Sequence, residues 1–304
     1  MKAKIPDSIK AELPQNTWGK VLGMTPIVLT VIATLLAGMA SSEMTRAQYD
    51  RALGAQLQSK AGDQWGYFQA KKLRGALQQN SLEILQATIE IPTLDTAGLE
   101  KVLSELNSRG APQTQAALEK GQLPAIPPGA EIQPNVQAAL DALSAAQPET
   151  EVTRLLAQVT DEDLSAAMTV ALARALAFDA AMKPVNTQLD QIERALTKPG
   201  ADKGLLQGFT AARFQLGSAR YDQEARLNQV VGFIYEMQVR KANASAERHH
   251  HRSQQFFYGM LAAQLSVIIS TFAIAARQKS LLWSLAAAAG LVAVSFSAYV
   301  FLRV

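Results

Sequence analysis

The last fifty residues constrain this chain more than any other stretch. Residues 256–276 are apolar and uncharged, Arg277-Gln278-Lys279 follows, and residues 280–302 are apolar again before Arg303. Each run is roughly the 20 residues that a helix needs to cross a bilayer. The short link leaves room only for a tight turn, so the runs predict a helical hairpin through a membrane. Residues 21–40 form another uncharged apolar run and predict an earlier span. The small residues of Gly38-Met39-Ala40 admit a cleaved signal peptide as the rival reading of that run.

Everything between these runs is polar and helical in pattern. The net charge is only +3, with both signs interspersed, so no nucleic-acid footprint is present. Cysteine is absent, which excludes disulfides, thiolate chemistry and cysteine-held metals. The expected fold class is an all-α membrane protein. It has three transmembrane helices, 21–40, 256–276 and 280–302, with an extramembrane helical stalk and cap between the first and second. A polar segment, 1–20, leads in; 41–91 and 205–255 are the stalk helices, and 92–204 is the cap.

Leu53, Leu57, Ala61, Trp65 and Phe68, extended by Leu73 and Leu77, follow helical spacing and predict one buried face ending before Pro92. Phe209, Leu216, Gln223, Val230, Met237 and Ala244 recur every seven residues, with Leu227 and Ile234 between them. That partial heptad predicts an antiparallel contact with the Leu53–Leu77 face, burying Trp65. In the cap, Pro112, Pro124, Pro134, Pro148 and Pro184 divide short amphipathic helices. Thr160 before Asp161-Glu162-Asp163 predicts an N-cap, because carboxylates favour the positive helix end.

Asp63-Gln64-Trp65-Gly66-Tyr67-Phe68-Gln69-Ala70-Lys71, placed after an N-terminal span, resembles the aromatic–Gln-Ala-Lys motif of a bacterial membrane family, domain-of-unknown-function family 4337. The histidine-containing helix end, the apolar runs and the basic turn near the C-terminus resemble it too. The resemblance covers roughly residues 20–85 and 225–304, with 92–204 as a candidate insertion. It implies a three-span membrane protein with a helical domain between the first and second spans, and it carries over no catalytic residue.

Three groups of residues are candidate sites. Trp65, Tyr67, Phe68, Gln69 and Lys71 form a helix-packing or interaction motif; binding of an anionic lipid is the sharper alternative. Arg248, His249, His250, His251 and Arg252 form a polar collar at the lipid headgroups. Consecutive histidines point about 100° apart on a helix, so one chain is not expected to gather them around a metal. Thr30 and Thr34 form a possible pore face. Small residues at Ala262, Ser266 and Ser270, and at Ala286 and Gly290, predict close helix contacts.

No nucleophile–base pair can be named, so the expectation is a protein that is not an enzyme and needs no cofactor. The leading reading is an oligomeric, membrane-anchored helical scaffold or interaction module. An oligomeric pore or channel lined by the first span is the alternative. The partners implied are the lipid bilayer, further copies of the chain and an unidentified protein, with no nucleic acid. Lys2, Lys4 and Lys10 share a membrane side with Arg277 and Lys279. By the positive-inside rule that side is cytoplasmic, which puts 41–255 in the periplasm and the chain in the inner membrane.

Overall fold

Abundant alanine and apolar residues recurring at helical spacing leave little for a strand to use. A computed structural model describes residues 17–106, 111–126, 129–275 and 281–303. Among them every regular element is a helix. These are α1 (Thr17–Thr88), α2 (Thr96–Glu105), α3 (Ala111–Lys120), α4 (Pro134–Ser144), α5 (Glu149–Leu156), α6 (Asp161–Leu196), α7 (Lys203–Ala275) and α8 (Leu281–Arg303). The Lys-rich start and the Arg277–Lys279 turn, on which the expected orientation rests, lie outside the described residues.

The chain divides into two compact units. The first takes in the described residues of Met1–Gly54 and Lys241–Val304, and the second is Ala55–Arg240. Both boundaries fall inside α1 and α7, within the segments expected to form a stalk.

In the first unit, segments of α1, α7 and α8 meet through small residues. Ala33, Ala263 and Ala293 form one buried cluster; Leu36, Ala40 and Phe256 form another. The expected small stripes are buried at Ser266, Ser270 and Ala286. At Gly290 a Cβ would stand 3.1 Å from the Leu29 side chain, so only glycine allows that approach without displacement. Large apolar side chains point outward: Ile27, Leu35, Leu265, Ile268, Phe272 and Leu291 are all at least half exposed.

In the second unit, two cores form. Phe178, Met182, Leu189 and Ile192 of α6 join Leu99, Leu103 and Leu118 of α2 and α3, together with Phe209 and Leu216 of α7. Leu164, Ala167 and Ala171 of α6 join α4, α5 and Ile234 and Met237 of α7. The heptad of α7 is thus used, but by the short helices and α6 rather than by α1. Ala244, its expected last position, is exposed.

Pro184 does not end a helix as expected; α6 runs unbroken from Asp161 to Leu196. An interior proline costs a helix about 3 kcal/mol. Phe178 and Met182 before it, and Val185, Leu189 and Ile192 after it, are buried on one face and outweigh that cost. The N-cap at Thr160 is as expected and closes a reciprocal box. Asp163 N–H donates to Thr160 Oγ1 at 3.1 Å, and Thr160 N–H donates to Asp163 Oδ2 at 3.0 Å.

Among the described residues three helices are apolar and long enough to cross a membrane: Gly23–Thr88, Asp161–Leu196 and Lys203–Ile274. The first and last contain two of the expected spans. The middle one is α6, expected in the cap, whose apolar face fills both cores of the second unit. The third expected span corresponds to α8, where the described apolar stretch is the shorter Ser284–Phe296.

Candidate functional site

The residues singled out in the sequence fall on α1 and α7, and the seam between these helices differs from the expected one. Within the second unit, Ala61, Phe68, Gly75 and Leu82 repeat every seven residues on the inner face of α1. Gln64, Lys71, Gln78 and Leu85 follow each of them by three. Leu53, Leu73 and Leu77 are 37%, 62% and 54% exposed, so the predicted stripe keeps to the inner face only from Leu57 to Phe68. The step of five from Phe68 to Leu73 carries the helix past the seam, and Lys71 takes the inward position.

Pairing with α7 is antiparallel, as expected. Gln64 donates its amide to Asn228 Oδ1 at 2.6 Å, and further along α1 a Cβ on Gly75 would meet Tyr221 Cβ at 3.4 Å. The seam is polar. Trp65 is half-buried rather than buried; its indole N–H donates to Glu236 Oε1 at 2.8 Å. Its ring meets Phe68 and Phe233 edge-on, with centroids at 5.4 and 5.1 Å. Gly232 makes room for the indole, since a Cβ there would lie 3.2 Å from it.

Lys71 is 8% exposed and Glu224 4%, and the two form an ion pair. Arg220 Nε donates to Glu224 Oε1 at 2.7 Å, and its Nη1 donates to Asn186 Oδ1 at 2.8 Å. One buried carboxylate therefore serves two cations. The Lys71 ammonium lies 4.8 Å from the Tyr67 ring centroid and 5.6 Å from that of Tyr221. Burial pulls the Lys71 pKa down, yet bonding to Glu224 and Tyr67 and their charges leave it raised. Tyr67 and Gln69 of the motif are exposed.

The collar residues belong to the first unit and are dispersed. His249 faces α1: its Nδ1 lies 2.5 Å from Glu43 Oε2, and its Nε2 lies 3.9 Å from Asp50 Oδ2. Glu43 is 9% exposed and also lies 3.6 Å from Arg46. Ser253 beside it donates to the Ala40 carbonyl at 2.8 Å. His250 and His251 accept from Gln254 and Gln255 on their own helix, at 3.1 and 2.9 Å. Arg248 is exposed and Arg252 half-buried. Among the described residues no three potential metal-ligating side chains converge.

Thr30 and Thr34 are exposed on α1, and their hydroxyls donate to the Pro26 and Thr30 carbonyls at 2.7 and 2.9 Å. Glu43, Asp50, Arg220, Glu224 and Glu236 were not legible as site residues. The available signal was the seven-residue repeat through Ala33, Ala40, Ala47, Gly54, Ala61 and Phe68, which places Glu43, Asp50 and Lys71 three residues after seam positions.

These features define an all-helical chain with membrane-length apolar helices and a polar helix seam. The chain resembles, over residues 18–122, the family described as Domain of unknown function (DUF4337). That match includes the Trp65 tract. It runs beyond residue 85 into the stretch read as an insertion, and does not extend to 225–304, where the resemblance was also expected. No curated protein and no solved structure matches the chain.

Proposed function

We propose that this chain is a membrane-anchored helical scaffold, with the second unit presenting surface to a protein partner and the first unit holding it in the bilayer. The observation that carries the reading is the inversion of the first unit, where alanine, serine and glycine meet inside while large side chains such as Leu35, Ile268 and Leu291 face out. Lipid tails are as apolar as leucine, so this arrangement suits a bilayer and not water. The buried charges of the second unit support a structural use, since Lys71, Glu224 and Arg220 are paired with one another.

The Thr30 and Thr34 hydroxyls bond to their own helix, so the face they lie on suits lipid without a water-filled pore. In this reading Arg248, His250, His251 and Arg252 lie at the headgroups. The Lys-rich start and the Arg277–Lys279 turn are cytoplasmic, and 41–255 is periplasmic in an inner membrane.

The test is retention of the full chain in the membrane fraction after an alkaline carbonate wash, together with labelling of Gly129→Cys in intact cells by an impermeant thiol reagent. Gly129 is exposed, and the cysteine would be the chain's only one. Retention with labelling is expected. Release into the wash would overturn the anchor, and retention without labelling would overturn the orientation. Single-channel steps in planar bilayers that change with Thr34→Val would replace the scaffold by a pore.

A further inference from the structure

Within the second unit, the glycines of α1 fall into two groups. Gly75 lies on the seam with α7, where a Cβ would touch Tyr221 and Ser218. Gly62 and Gly66 have no neighbouring atom within 4 Å of a would-be Cβ. Each costs a helix about 1 kcal/mol relative to alanine, and nothing in the chain's own packing uses the space they leave.

Their face continues as Ala70, Leu73, Leu77, Asn80 and Ile84. From Gly62 the steps are four, four, three, four, three and four residues. That is the spacing of a helix seam. Leu73, Leu77 and Ile84 are 62%, 54% and 56% exposed, so α1 bears an apolar stripe opposite the polar seam that holds Lys71.

We propose that this stripe packs against the same stripe of a second copy of the chain, as a parallel, in-register pair of α1 helices. A helix is the fitting occupant because the glycines allow backbone approach at one end and the leucines interdigitate at the other. The partner's identity follows from charge. The stripe has no ionisable residue, although Asp63, Lys72, Arg74 and Glu83 stand immediately beside it on the chain. Like can therefore meet like without repulsion. Asn80 is also self-complementary, because its amide both donates and accepts.

The inference rests on the membrane-anchored reading, which makes copies parallel and sets them at one height. The stripe is about 33 Å long at 1.5 Å per residue. One helix face of that length is small beside the roughly 800 Å² per partner of a freestanding interface. Co-anchoring supplies the effective concentration that such a short seam needs.

The chain has no cysteine, so single cysteines test the seam directly. Leu73→Cys, Leu77→Cys and Ile84→Cys are compared with Gln79→Cys and Gln86→Cys, which are exposed away from the stripe. Each full-length variant is oxidised in carbonate-washed membranes, and disulfide-linked dimer is measured. The expected result is at least about tenfold more dimer at the stripe positions, on the ground that direct cross-linking needs Cα atoms within about 7 Å. Equal cross-linking at all positions, cross-linking only at 79 or 86, or none at any position overturns the proposal. A chain missing from the washed membranes defeats the anchor reading instead; the same oxidation in solution then still decides whether the stripe pairs. Leu73→Asp/Leu77→Asp alters side chains that are exposed in one copy, and is expected to shift the mass in mild detergent from dimer to monomer.

Discussion

Glu224 is the carboxylate on which two cations depend, and its removal should cost more than removal of either. Lys71 and Glu224 have side chains 10% and 5% exposed. Glu224→Gln keeps the shape but leaves Lys71 and Arg220 facing each other with no counter-charge. A buried charge stripped of its partner costs about 3–5 kcal/mol. Lys71→Met leaves Glu224 still bonded to Arg220 at 2.7 Å, so only one charged contact is lost, costing about 2 kcal/mol. At about 2–4 °C per kcal/mol for a unit of this size, these correspond to roughly 10 °C and 5 °C of midpoint. Lys71→Met/Glu224→Gln removes the charge at both ends of the pair and should cost less than the sum of the singles, with a coupling of about 2 kcal/mol. Thermal unfolding of the full chain in mild detergent, followed by Trp65 fluorescence after Trp18→Phe and Trp283→Phe, measures all of these. A Glu224→Gln protein at least as stable as Lys71→Met, or a coupling below about 0.5 kcal/mol, would show that the carboxylate does not organise the seam.

Two further outcomes follow from the same unit. Pro184→Ala restores a backbone donor inside an unbroken helix and should raise the unfolding midpoint, by up to about 3 kcal/mol of stability; a loss of stability would mean that the ring itself is needed there. Because the folded Lys71 pKa is raised, the stabilisation from its charge is fully present below the unfolded value near 10.4 and is lost as pH rises through the folded one. The unfolding midpoint should therefore fall above about pH 10 in the parent, and Lys71→Met should blunt that fall. An identical alkaline limb in both proteins would be the contrary result.

The seven-residue and proline patterns made most of the helices legible, but they assigned some faces wrongly. Ala61, Trp65 and Phe68 were visible as an inner face because their spacing is regular and their side chains apolar. Leu73 and Leu77 were drawn into the same face by hydrophobicity alone, while Lys71, which occupies it, was left out of the apolar stripe because it is charged. A lysine faces inward here only because Glu224, more than a hundred residues away in sequence, neutralises it. Local periodicity contains no such information. Pro184 misled for the same reason: its cost is local, and the burial that offsets it comes from other helices. His249 was legible as a titratable residue near a span, but its partner Glu43 was hidden among alanines and serines that read as a continuation of the first helix.

The polar seam also bears on how the protein is made. Gln64 meets Asn228 across 164 residues of sequence. At 5–20 residues per second, α1 leaves the ribosome roughly 8–30 s before the part of α7 that completes it. A helix with a greasy inner face would spend that interval as a target for aggregation. With Gln64, Lys71 and Gln78 turned inward, the unfinished helix offers water a hydrated edge instead, and its alignment waits for Glu224 and Asn228 to arrive.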